Sequence, residues 1–130
     1  MKEFVVNMEA RPGRLAALTR LLGAAGVNIE ALTGYSHDGV GTLRIIVDDA
    51  TSTKRVLRES AIGFTEHAVL TTSMAHRPGE LGRVTGALAD ADIGIDAIYV
   101  LRTDADGIEL AICVEDAEAA RNALPVRGSV

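Results

Sequence analysis

The sequence predicts an α+β chain made of two tandem copies of one unit, each running strand, helix, strand, strand, helix, strand. Two observations carry this reading. Arg11-Pro12-Gly13 recurs as Arg77-Pro78-Gly79, and at that offset of 66 residues 8–32 and 74–98 agree at 10 of 25 positions. The hydrophobic period also switches between two and about 3.6 in the same order in both halves. The matches include Met8/Met74, Leu15/Leu81, Leu22/Leu88, Ala25/Ala91, Ile29/Ile95 and Ala31/Ala97. After one inserted residue, 43–50 match 110–117 at 5 of 8 positions.

Phe4, Val6 and Met8 alternate with Val5 and Asn7, the pattern of a strand. Arg-Pro-Gly ends it, because proline lacks an N–H and glycine permits a sharp turn. Leu15, Leu18, Leu22 and Ala25 then fall at spacings of three and four, one face of a helix ending at Gly26. Leu81, Val84, Leu88 and Ala91 repeat that stripe. Val27, Ile29, Ala31, Thr33 and Tyr35 alternate next, with Asn28, Glu30 and Ser36 on the opposite face. Asp38-Gly39 marks a hairpin, and Leu43, Ile45 and Val47 return. Asp49 or Thr51 caps a second helix carrying Val56 and Leu57. A last strand near 62–66 runs almost without punctuation into the next copy near Val69. The mid-strand charges Glu30, Arg44, Asp96 and Glu109 imply one largely polar sheet face, with the helices on the other.

That order is the ferredoxin-like βαββαβ arrangement. The expected modules are residues 1–67 and 68–130. The second has a short or missing final strand, since only Val126–Val130 follow Pro125. An incomplete sheet edge invites completion by another chain and makes a homodimer the expected assembly.

Composition narrows the function classes. A net charge of −5 gives no basic face to displace phosphate counterions, which counts against nucleic acid and against an anionic membrane. Aromatic content of 3% with no Trp removes the stacking platform of single-strand binders. No apolar run approaches a membrane span, and no leader peptide is legible at the amino terminus. The single Cys113 has no intrachain partner, which suits a reducing cytoplasm. It aligns with Ile46, so a buried apolar role is expected. His37, His67 and His76 show no metal-ligand spacing, and no nucleophile with a nearby base or glycine-rich nucleotide loop is visible. The chain is therefore expected to be non-catalytic, with no metal and no cofactor.

Arg-Pro-Gly-x-Leu leading into an amphipathic helix, then Gly26-Val27-Asn28-Ile29, resembles the ACT-domain family, twice over. The nearest resemblance is to the regulatory domain of phosphoglycerate dehydrogenase and to stand-alone tandem ACT proteins. It implies a small-molecule ligand, an amino acid, held where two modules pair, and regulation of a partner enzyme. The loop after the first strand of one module would face the second strand of its partner. The candidate ligand residues are therefore Ala10, Arg11, Pro12, Gly13 and Leu15 in the first loop, and His76, Arg77, Pro78, Gly79 and Leu81 in the second. The partner-strand positions are Asn28 with Ile29, and Gly94 with Ile95. A helix start offers backbone N–H groups and partial positive charge to a carboxylate, and glycine lets a ligand approach closely. The plain alternative for Arg11 and Arg77 is a solvated turn residue.

The two copies differ. Serine-binding relatives carry a polar contact just before Arg-Pro-Gly, where this chain has Ala10 and His76. If the modules pair with each other, His76 and Asn28 form one polar site, while Ala10 and Gly94 form an altered one. Met8 and Met74 replace a second polar contact and favour a more apolar ligand than serine, a branched-chain or aromatic amino acid. Competing readings are an assembly module without ligand and, on the same fold, an acylphosphatase-like hydrolase, for which the loops supply no convincing phosphate cradle.

Overall fold

A computed structural model describes residues 1–124. The fold is α+β, with six strands and four helices among the described residues. The chain divides into two compact units, Met1–Glu66 and His67–Val130. The expected short or missing strand after Pro125 lies outside the described residues.

In the first unit, β1 (Lys2–Glu9), α1 (Arg14–Ala24), β2 (Ile29–His37), β3 (Val40–Val47) and α2 (Ala50–Glu59) follow in order. β3 pairs antiparallel with both β1 and β2. In the second unit, β4 (Phe64–Met74), α3 (Glu80–Asp90), β5 (Ile95–Asp104), β6 (Gly107–Val114) and α4 (Ala117–Ala123) repeat the pattern, with β6 paired to β4 and β5. β4 begins in the first unit. Its Phe64 packs against that unit's core and meets Phe4 edge-on at 5.5 Å between centroids. The strand expected near 62–66 and the one expected near Val69 are one uninterrupted element.

Each unit has its own core between helices and sheet. Phe4, Val6, Leu18, Leu22, Ile45, Val47 and Leu57 form the first; Leu70, Val84, Leu88, Leu110, Ile112 and Ala120 form the second. Each Val, Leu, Ile or Phe among them contributes about 1.5–3 kcal/mol by leaving water. The helix stripes legible in the sequence bury Leu18 and Leu22 in α1, and Val84 and Leu88 in α3. Leu15 and Leu81 open those stripes yet stay exposed.

The strand after α1 departs from simple alternation. Ile29 pairs with Val47 but Ala31 pairs with Ile46, so Glu30 is an extra, bulged residue. The bulge shifts the phase. Leu32 and Gly34, opposite Ile45 and Leu43, stand on the helix side, whereas Ala31, Thr33 and Tyr35 take the other face. The second unit has the same bulge at Asp96, between Ile95 and Ala97.

The face away from the helices is not simply polar. Glu3 and Ile46 in the first unit, and Ala111 and Cys113 in the second, are fully buried. Cys113 takes the buried apolar place expected for it. Arg44 is not solvated charge: it forks onto Glu3, with Nε and Nη2 donating to the two carboxylate oxygens at 3.0 and 2.9 Å.

Asp49 caps α2, its carboxylate accepting from the Ser52 N–H at 3.0 Å. That bond holds the Asp49 carboxyl below its ordinary range. Side-chain hydrogen bonds from Arg83 and Arg77 do the same for Glu80. A depressed folded-state pKa stabilises above the unfolded value and is lost as pH falls through the folded one. Urea midpoints should therefore decline as pH drops below about 4.5. The Asp49→Asn/Glu80→Gln double variant should decline less steeply, and identical acid slopes would refute these assignments.

Candidate functional site

The first Arg-Pro-Gly loop forms one wall of an open groove of about 580 Å³. The loop leaves β1 with the Ala10 N–H donating to Gly39 O at 2.9 Å, so it sits at the β2–β3 hairpin end of the sheet. Gly13 is the N-cap of α1 at φ 90°, a conformation that side chains with a Cβ avoid, and no side chain caps the helix. The first turn of α1 therefore presents backbone N–H groups with no intrahelical acceptor. The floor comes from the strands: Met8, Leu32, Gly34, Gly41 and Leu43.

Of the residues expected from sequence, Ala10, Arg11, Pro12, Gly13 and Leu15 all line this groove. Arg11 is exposed and pairs with Glu9 at 3.2 Å. Asn28 and Ile29 lie at the other end of the same sheet. The Asn28 N–H donates to Asp48 Oδ1 at 2.9 Å, and its Nδ2 donates to Glu30 at 3.4 Å, while Ile29 packs on the core. The first unit thus does not bring Asn28 to its own loop.

The second unit is built alike. Gly79 caps α3 at φ 91°, again with no side-chain cap. His76, Arg77, Pro78 and Leu81 are exposed around it, and Arg77 pairs with Glu80 at 3.1 Å. Gly94 and Ile95 stand apart from that loop, Gly94 beside Asp92, Asp96 and Asp116 in a separate cleft. Ile95 packs on the second core.

Sequence reasoning missed Leu32, Gly34, Gly41 and Leu43 as groove residues. Plain alternation puts Ala31, Thr33 and Tyr35 on the face of Ile29; the bulge at Glu30 moves them to the other face and brings Leu32 and Gly34 to the helix side. The one legible signal was the charged residue interrupting an apolar strand in both copies. Among the described residues, no group of three His, Cys, Asp or Glu is placed to hold a metal ion. No helix among them is long and apolar enough to cross a membrane.

No curated protein matches the sequence. Among solved structures, a protein from Bacteroides thetaiotaomicron superposes with a TM-score of 0.81 at 24% identity, over 95% of this chain and 85% of that one. The ligand-free regulatory subunit of aspartate kinase from Thermus thermophilus gives 0.69 at 16% identity, over 95% and 86%. Aspartokinase alpha and beta subunits give 0.67 at 15%, over 94% and 90%. At these identities the likenesses establish the fold. The sequence itself goes further for one segment: residues 3–59, from the first strand through the second helix, match the ACT domain family.

Proposed function

We propose that this chain is a non-catalytic, cytoplasmic regulatory protein of two ACT-like modules, residues 1–67 and 68–130, that binds an amino acid and modulates a partner enzyme. The carrying observation is the groove at the first Arg-Pro-Gly loop, where a capless helix start adjoins an apolar floor. Those are the two chemistries of an amino acid: a carboxylate for the helix N–H groups and a side chain for the floor. The ACT match over residues 3–59 supports a ligand-binding role, and the T. thermophilus neighbour of the same fold is itself a regulatory subunit. Ligand would act by favouring one conformation of the assembly, a homodimer in this reading, over another.

A thermal-unfolding screen against the twenty amino acids at millimolar concentration tests this. A ligand at a hundredfold excess over Kd adds about 2.7 kcal/mol to native stability. The melting temperature should rise by several degrees for a small chemical class of amino acids. No shift with any of them favours a plain assembly module.

A further inference from the structure

The two units share the loop and differ at three matched positions that decide what it accepts. Gly34 pairs with Leu43 on β3, and its counterpart Val100 pairs with Leu110 on β6. Gly41 pairs with Met8, and its counterpart Ile108 pairs with Met74. In the first unit the sheet floor is thus bare backbone at two adjacent places. A Cβ at Gly34 would rest in ordinary contact with Thr42 O at 3.7 Å and Leu43 Cδ1 at 3.8 Å, and one at Gly41 would come within 3.4 Å of Met8 O, so side chains at either place would cover the floor. In the second unit a valine and an isoleucine stand there, Ile108 as part of the core.

The third difference is charge. The first residue of α1 is Arg14, and that turn holds no acidic side chain. The first residue of α3 is Glu80. Its side chain is only 13% exposed and bridges Arg77 and Arg83, each at 3.1 Å. The positive end of α3 already has its own carboxylate, whereas the first turn of α1 carries Arg14 and no acidic residue, and Glu9 across the groove is paired with Arg11.

We infer that the first unit alone holds the ligand, an L-amino acid whose apolar side chain lies over Gly34 and whose carboxylate meets the start of α1 and Arg14. The second unit carries the side chains of Val100 and Ile108 where the first has glycine, and Glu80 where the first has Arg14. This inverts the ranking of the loops by Ala10 and His76, because floor space and helix-end charge outweigh one exposed side chain. The inference rests on the amino-acid-binding reading above.

Titration calorimetry on the intact chain, with L-leucine, L-phenylalanine and L-serine as probes, tests it. One leucine or phenylalanine should bind per chain, with serine at least tenfold weaker. Gly34→Val, which copies the second unit, should weaken binding at least tenfold while the melting temperature holds, since valine suits a strand and its Cβ makes only ordinary contacts there. Arg14→Glu, on an exposed helix start, should weaken it severalfold and decides the matter if Gly34→Val misfolds. Val100→Ala should bind as the parent does. Two ligands per chain, a preference for serine, or parental affinity in both Gly34→Val and Arg14→Glu would overturn this inference and leave amino-acid binding standing. Absence of binding by all three probes, together with a silent twenty-amino-acid screen, would overturn both.

Discussion

Arg44→Ala is expected to lower the free energy of unfolding by about 3–5 kcal/mol, the range for removing one partner of a buried ion pair. Glu3 is fully buried, and the Arg44 side chain is 18% exposed. The guanidinium meets both carboxylate oxygens in a planar fork, a geometry that lysine does not reproduce. Alanine removes two charge-assisted hydrogen bonds from a carboxylate that remains out of water. The cost comes from desolvated charge more than from the strength of the pair, so a second variant separates the two. Replacing both residues, Glu3→Met/Arg44→Met, should be far milder than Arg44→Ala alone, because the desolvated carboxylate is removed along with its guanidinium. Urea unfolding of the three proteins checks this. A loss below about 1 kcal/mol in Arg44→Ala would place the pair among ordinary surface bridges.

Gly107→Ala should cost about 3 kcal/mol, the upper end for a strained backbone position, and disturb the β4–β6 register. Gly107 opens β6 at φ 132°, a region that side chains rarely enter. A Cβ there would collide with the Met74 carbonyl oxygen. That oxygen belongs to the neighbouring strand backbone and has no rotamer to escape into. The hairpin glycine of the first unit provides the contrast. Gly39 sits at φ 78° with nothing within 4 Å of a built Cβ. Gly39→Asn should therefore stay within about 1 kcal/mol, because asparagine visits the left-handed region. Equal losses at the two positions would show that backbone conformation, not the approach of Met74, sets the cost. Hydrogen exchange at Met74 and Ile108 would report the register directly.

Local features were read correctly because local physics makes them. The Arg-Pro-Gly turns, the stripes of α1 and α3, the Asp38-Gly39 hairpin and the Asp49 cap each depend on residues within a few positions of one another. The loop residues Ala10–Leu15 were legible for the same reason. Where the reading failed, the cause was a contact across the chain. Alternation keeps Ala31, Thr33 and Tyr35 on the face of Ile29, whereas a bulge is a mismatch between two strands that one strand's pattern does not record. Arg44 stands in the sequence only as a sign of a polar sheet face, because Glu3 lies 41 residues away and meets it only when β1 and β3 pair.

The sequence by itself determined the order of elements, their duplication, and the loop where a ligand is expected. Tertiary structure decided which residues floor the groove, and that the Glu3–Arg44 pair is buried on the sheet. Secondary structure follows from periodicities that repeat within a turn or a few strand residues, so it can be read along the chain. Register is set by hydrogen bonds between segments distant in sequence, and one bulged residue turns every later side chain to the opposite face.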